Sequence, residues 1–381
     1  MSGIYLHIPF CKQACSYCDF YFVTRKGARE DYVEALLREI RSYRGTPFAE
    51  PPVRTLYLGG GTPSLMRPEW LARVFGALRE TFELRLEECT MELNPDDVTR
   101  PYLRALRDLG VTRASMGVQS FQPALLEFMN RAHSRDEALE ALEALRDTGF
   151  GSFTVDLIYG NPGQTLRELA ADLDLLLDFE PPHVSAYALT VEPGTRLGKA
   201  VDLGRVAEPE NETVAEHYER VRERLEKAGL HQYEVSNYSR PGREAVHNSR
   251  YWEHANYLGM GPAAHSFWWD GDGARRWEWE ANLGSYLERR FTGEPDPQLT
   301  ESLSPLQLAE ERIMMGLRTR VGVSREELAD RYGYTLSEKQ EELLEERRGR
   351  GLVAGHTPEL RLTAEGRRLA DAVILDLITA H

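Results

Sequence analysis

Between residues 4 and 190 the chain alternates short β-rich runs with amphipathic stretches, and that alternation restricts the fold more than any other feature. The runs are IYLHI from 4, RTLYLGGG from 54, CTMELNP from 89, RASMGVQS from 113, FTVDLIYGNP from 153 and HVSAYALT from 183. Between them, DYVEALLREI, PEWLARVFGALRE, PYLRALRDLG, DEALEALEALRDTG and LRELAADLDLLLDF repeat apolar residues at the spacing of one helix face. Strands and helices in strict succession predict parallel strands joined by right-handed crossovers. A doubly wound open sheet and a (β/α) barrel both satisfy this pattern. The strand ends favour the barrel, because they run into polar or glycine-rich residues: the cysteine loop, GGGTPS, Glu92 with NPD, Gln119 with Ser120, and Asp156 with YGNPGQ. In a barrel those ends converge on one mouth, where sites are built. The expected class is α/β, a partial (β/α)6 barrel over residues 1–205.

Past 205 the pattern changes. A charged helix over 211–228, the run YEVSNYS, the run HNSRYW at 247–252 and a stretch rich in tryptophan predict an α+β extension over 206–295. Residues 296–381 read as a small helical, winged-helix-like domain, with helices over 305–319, 325–331 and 336–348, a strand pair around 352–363 and a last helix from 365. Folds of that order often bind DNA, but residues 301–381 hold 15 acids against 12 Lys and Arg, and the whole chain carries a net charge of -15. That balance disfavours nucleic acid and anionic membrane as main partners. The helix QEELLEERR reads as a solvated face. No apolar run is long enough to span a membrane and no signal-peptide pattern opens the chain, so a cytoplasmic protein without an integral membrane segment is expected.

Only four cysteines occur, and Cys11, Cys15 and Cys18 fall within eight residues. In a reducing compartment such clustering points to a metal or a cluster rather than a disulfide. Zinc and iron are both conceivable, with His7 as a fourth ligand for zinc. A cubane cluster normally takes four cysteines, so three leave one iron open to a small molecule. Cys89, in the alternating run ECTMELN, reads as a buried, inert thiol.

The run CKQACSYC resembles the CxxxCxxC motif of the radical S-adenosylmethionine (SAM) superfamily. The resemblance implies a [4Fe-4S] cluster on Cys11, Cys15 and Cys18, whose open iron chelates SAM. GGGTPS resembles that superfamily's glycine-rich loop. Carried over residue by residue, the implied SAM contacts are Tyr5, Tyr17, Gly60, Gly61, Thr62, Glu92, Gln119, Arg131 and Asp156. More narrowly, HIPFCxxxCxYCDF, LGGGTPS, MELNP, GVQSF, DLIYGNPGQT and YEVSNYS are similar to the oxygen-independent coproporphyrinogen III oxidase-like family. The oxidases of that family carry a further cysteine where this chain has Phe20, and phenylalanine there marks its haem-chaperone branch.

HNSRYW also matches the HNxxYW motif of that branch, which implies haem contacts from His247, Asn248, Tyr251 and Trp252, with His247 as ligand to the haem iron. The chemistry is apt, since imidazole is a standard axial ligand and aromatic rings offer flat faces to a macrocycle. The implied function is a haem chaperone that carries a [4Fe-4S] cluster and SAM and passes haem to an acceptor protein, a respiratory one being an option. The alternative is an oxidase or another radical SAM enzyme acting on a tetrapyrrole. A homodimer is left open. His265, in LGMGPAAHSF, departs from the family's GxGAHS at Pro262 and Ala263 and reads as structural. The rings of FWWDGDGARRWEW read equally as core or as porphyrin contacts.

Overall fold

The structure, a computed structural model, describes residues 2–271, 273–355 and 358–380. Its first six strands are β1 (Ser2–Ile8), β2 (Val53–Gly60), β3 (Leu84–Leu93), β4 (Arg113–Gln119), β5 (Ser152–Tyr159) and β6 (His183–Ala188). They lie side by side in chain order and all pair in parallel. A doubly wound sheet reverses its strand order at a switch point. Here the order never reverses, and the ends of all six strands line one cavity, which is the arrangement of a barrel mouth.

Alternation along these strands separates two environments. Ile4, Leu6, Leu56, Leu58, Met91 and Met116 point outward, at most 1% exposed, into the main core. Against them pack α1 (Arg29–Ser42), α2 (Pro68–Thr81), α3 (Arg100–Leu109), α5 (Arg135–Thr148) and α6 (Leu166–Leu177), with the short α4 (Pro123–Phe128) ahead of α5. Each buried leucine of that layer contributes about 2 kcal/mol. Local signals start and stop these helices. Ser134 with Glu137 and Thr165 with Glu168 form capping boxes on α5 and α6, and Gly110 and Gly149 take left-handed conformations after α3 and α5. Cys89 is fully buried on the helix side, and burial pushes its thiol up to about 12.

The sheet continues beyond the six strands at both edges. After α7 (Arg196–Asp202) and α8 (Asn211–Lys227), β7 (His231–Gln232) pairs antiparallel with β8 (Asn237–Ser239), which itself pairs antiparallel with β6. Past α9 (Val246–Trp252), β9 (Tyr257–Met260) pairs in parallel with β1, and β10 (His265–Asp270), β11 (Gly273–Glu278) and, after α10 (Leu283–Glu288), β12 (Thr300–Leu303) follow antiparallel. The tryptophan-rich stretch is therefore a hairpin with two faces. Trp268 and Trp277 enter the main core, where both meet Phe48, while Phe267 and Trp269 pack on His254 and the C-terminal part.

That part comprises α11 (Pro305–Leu317), α12 (Arg325–Tyr332), α13 (Glu338–Gly349), α14 (Ala364–Arg368) and α15 (Ala370–Thr379), with β13 (Val323–Ser324) paired antiparallel to β14 (Glu359–Leu360). The last helix breaks at Leu369, so it forms as two pieces. A second core made of residues such as Leu308, Ile313, Leu328 and Leu377 holds it together and includes Phe267 and Leu303 of the large sheet. Among the described residues no helix is long and apolar enough to cross a membrane.

Candidate functional site

The mouth of the barrel is a cavity of about 440 Å³, lined by residues of all three cysteine positions and by the inward side chains of the strands. Cys11, Cys15 and Cys18 are free and half-buried along the loop that leaves β1. Among the described residues no three His, Cys, Asp or Glu side chains are gathered tightly enough to enclose a single ion.

The glycine turn after β2 is what seats this loop. Gly61 N donates to Ile8 O at 2.8 Å and Thr62 N to Phe10 O at 2.7 Å. A Cβ on Gly61 would lie 2.8 Å from the Phe10 carbonyl oxygen, so only glycine permits the approach. Gly60 has φ +109, and a Cβ there would strike the His7 ring at 2.7 Å. Thr62 donates from its hydroxyl to Cys11 Sγ at 3.5 Å. From the opposite wall Arg131 reaches Cys15 Sγ at 3.3 Å and the Tyr17 hydroxyl at 3.4 Å, while its other terminal nitrogen donates to Asn94 Oδ1 and Gly117 O, both at 2.8 Å. Tyr17 itself packs among Leu125, Leu126 and Met129.

Deeper in the cavity stand two carboxylates. Glu92 accepts from the Tyr57 hydroxyl at 2.8 Å and from Gly60 N at 3.1 Å, and Asp156 accepts from the Ser115 hydroxyl at 3.2 Å. Burial raises Glu92 to about 7 and Asp156 to about 6. Gln119 has φ 67, unusual for a residue with a side chain, and its buried Oε1 has no hydrogen-bond partner. Arg131 Nε is likewise unpartnered. Buried polar atoms are normally satisfied, so these two orphans, beside a pair of acids and three thiols, mark a cavity shaped for a polar ligand. Cys11, Cys15, Tyr17, Cys18, Gly60, Gly61, Thr62, Glu92, Gln119, Arg131 and Asp156 all line it.

Tyr5 does not line it. Its ring stacks on Tyr57 with centroids 5.9 Å apart, and its hydroxyl lies 3.3 Å from His7 Nδ1, on the wall of a second cavity of about 650 Å³. That cavity opens between β1, the hairpin β10–β11 and α11, and its walls are mainly apolar and aromatic: Tyr251, Tyr257, Phe267, Trp279 and Met315 among them. Asp19 and Phe20 border both cavities, and the Phe20 ring is 67% exposed.

The HNSRYW residues form α9, between the two cavities. Asn248 faces the first and Tyr251 the second. His247 lines neither. It is 2% exposed, with Nδ1 2.9 Å from the Thr55 hydroxyl and Nε2 2.8 Å from the Tyr251 hydroxyl. Burial lowers its pKa to about 3, which keeps the ring neutral. Both ring nitrogens are thus engaged, and ligation of a metal through Nε2 requires the Tyr251 hydroxyl to leave. Trp252 also lines neither cavity, and its carbonyl accepts from Arg312 at 3.2 Å.

Comparison with known proteins places this geometry. The family model of the radical SAM superfamily matches residues 5–176, and that of the HemN C-terminal domain matches residues 303–369. The chain is 33% identical to the heme chaperone HemW of Bacillus subtilis over 98% of both chains. It is 37% identical to the heme chaperone HemW of Mycobacterium tuberculosis, covering 99% of this chain and 94% of that one. The chain belongs to the HemW-like family of radical SAM proteins. It is also 35% identical to the mitochondrial radical S-adenosyl methionine domain-containing protein 1 of Mus musculus, over 99% of this chain and 87% of that one. The solved structure of coproporphyrinogen III oxidase (HemN) from Escherichia coli superposes with a TM-score of 0.83 over 99% of this chain and 90% of that one, and at 23% identity it shares the fold.

Within the radical SAM barrel several lining residues escape motif reading. Arg113 and Ser115 on β4, Thr90 on β3 and Ser185 on β6 all face the cavity. Their signal is period two: on β4, Arg113, Ser115, Gly117 and Gln119 point inward, while Ala114, Met116 and Val118 are fully buried outward. A polar series interleaved with a fully apolar one marks a barrel interior. The residues of the second cavity carry no such signal.

Proposed function

We propose that this chain is a haem chaperone of the cytoplasm, which takes up haem and releases it to an acceptor protein. One observation carries the reading: a roomy, aromatic-walled cavity opens directly beside the cysteine loop and shares Phe20 with it. At about 650 Å³ it is within the range of pockets that bury a medium-sized organic ligand. The HemW relatives named above, each matched along nearly its whole length, support haem as that ligand.

In the first cavity Cys11, Cys15 and Cys18 would hold a [4Fe-4S] cluster and the strand ends would hold SAM. Such a cluster would supply iron able to chelate the amino and carboxylate groups of SAM. The chain's own part is to bind and orient. Glu92 and Asp156 accept hydrogen bonds from a cationic amine or ribose hydroxyls, Gln119 offers its unpartnered oxygen, and Arg131 tethers the cysteine loop through Cys15 and Tyr17. Gly60, Gly61 and Thr62 keep that loop against the barrel.

The test combines reconstitution with titration. Anaerobic reconstitution is expected to load about four irons per chain, and Cys11→Ser, Cys15→Ser or Cys18→Ser to abolish loading, while Cys89→Ser leaves it intact. Haemin added to the same protein is expected to give a saturable Soret band. Incubation with dithionite, SAM and coproporphyrinogen III is expected to leave the tetrapyrrole unchanged. Stoichiometric protoporphyrinogen would overturn the chaperone reading in favour of an oxidase.

A further inference from the structure

The helix that carries HNSRYW has no cap of its own. α9 is seven residues long, and its N-cap position is held by Ala245, whose side chain accepts nothing from the first turn. A helix this short is not stable alone, and its first amides need acceptors. Glu88 on β3, 158 residues away in the chain, supplies them: Val246 N donates to Oε2 at 2.9 Å and His247 N to Oε1 at 3.0 Å. That carboxylate is buried, accepts from the Thr90 hydroxyl at 3.0 Å and stands 3.9 Å from the buried Arg113 guanidinium. Beside Glu88, in register on β2, stands Thr55. Its hydroxyl lies 2.9 Å from His247 Nδ1, and the Tyr57 ring on the same strand lies 5.2 Å from the imidazole between centroids. Gly3 on β1 leaves the room for this contact, since a Cβ there would lie 2.9 Å from Thr55 Oγ1 and 3.3 Å from the His247 ring.

We propose that Glu88 and Thr55 are positioning residues for haem, which fix the backbone and the ring of His247 so that Nε2 is the nitrogen presented to the iron. The inference rests on the haem-chaperone reading with His247 as ligand, and it adds the residues that aim that ligand. A partner behind a metal-bound imidazole sets its tautomer and orientation. With the proton on Nδ1, His247 donates to Thr55 Oγ1 and keeps the lone pair on Nε2. Nε2 then has a single partner to give up, the hydroxyl of Tyr251, a residue that lines the second cavity. A serine or aspartate at position 245 could satisfy the first amides as well, but it would tie α9 only to itself, whereas a carboxylate from β3 ties it to the barrel. At the other end Trp252 O accepts from Arg312, which is paired with Glu327 at 2.9 Å. An anion at its start and a cation at its end suit the helix dipole. With both ends held, Nε2 is freed by rotation of the Tyr251 side chain and not by displacement of the helix.

The experiment is haemin titration of the full-length chain, read by Soret position and affinity, for the parent, Thr55→Val, Thr55→Ser, Glu88→Gln and His247→Ala. A urea titration of each variant runs beside it, and metal-free protoporphyrin IX serves as the control that cannot form an iron bond. Thr55→Val removes the hydroxyl and keeps the side-chain volume. It is expected to shift the Soret band and weaken haemin on the order of tenfold, with protoporphyrin affinity unchanged, and Thr55→Ser to restore band and affinity. Glu88→Gln keeps an acceptor for one of the two amides, and it too is expected to shift the band and weaken haemin. Lower urea midpoints in Thr55→Val and Glu88→Gln with the parent's band and affinity would show purely structural roles and overturn the inference. Haemin binding unchanged in His247→Ala would also overturn it, while a saturable Soret band in the parent keeps the chaperone reading in place. A parent protein that binds no haemin would instead overturn that reading, and the inference with it.

Discussion

The two cavities that meet at Phe20 are built on opposite principles. The first collects polar groups from strand ends that follow one another along the chain, from Cys11 to Ser185, and hides charge in a barrel. The second is assembled from β1, α9, the hairpin β10–β11 and α11, elements far apart in the chain, and lines its walls mainly with rings. The difference shows how a barrel can host two ligands of unlike chemistry. A closed barrel has no free edge, whereas this sheet stays open beside β1, and β9 to β11 extend that edge into a second wall. One strand, β1, therefore serves both: its end launches the cysteine loop into the first cavity, and Tyr5 and His7 face the second.

The comparison is most easily broken at Gly61. A Cβ there would press on the Phe10 and Pro9 backbone, which has no flexible end to yield. Gly61→Ala is expected to cost about 3 kcal/mol, the upper part of the range for overpacking, and to lower cluster loading. Haemin affinity should change little, since no wall of the second cavity moves directly. The check is a urea titration of the empty protein beside iron counting and the Soret titration. A variant that loads iron as the parent does would show that the glycine turn does not seat the cysteine loop.

Proton linkage separates the cavities next. In the first, burial raises Glu92 to about 7 and Asp156 to about 6 from ordinary values of 4.5 and 3.8. An acid whose folded pKa is raised gives stability that is complete below its unfolded value and lost as pH rises through the folded one. The empty protein should accordingly lose several kcal/mol, at about 1.4 kcal/mol per pH unit for each acid, between about pH 4 and pH 7. In Glu92→Gln with Asp156→Asn that slope should flatten. Urea midpoints across this range decide the matter, and an unflattened slope would place the linkage elsewhere, Glu39 being the first residue to try because burial raises it to about 7 as well.

These contrasts also explain what could be read from sequence. The β/α alternation, the parallel strands and the first cavity follow from local pattern, since each strand and the loop at its end are contiguous residues. Gln119 and Asp156 were placed by that reasoning, and the period-two polar series on β4 was available to extend it to Arg113 and Ser115. The second cavity has no contiguous signature. Tyr257, Phe267, Trp279 and Met315 become neighbours only once β9 pairs with β1 and the C-terminal core closes on the hairpin. Tyr5 entered the SAM contacts through the family resemblance, and its ring lines the second cavity.

The smallest expected effect tests α9, the element shared by both regions. Tyr251→Phe deletes the hydroxyl 2.8 Å from His247 Nε2 and keeps the ring that packs edge-on against Tyr257, 4.6 Å between centroids. Loss of one buried hydrogen bond should lower stability by about 1 kcal/mol. With His247 as ligand, the hydroxyl competes with iron for Nε2 in the parent, and its removal should tighten haemin and alter the band. Haemin titration of this one variant decides by sign rather than by size: a rise in affinity with an altered Soret band gives the iron to His247, and no change with the stability loss intact takes it away.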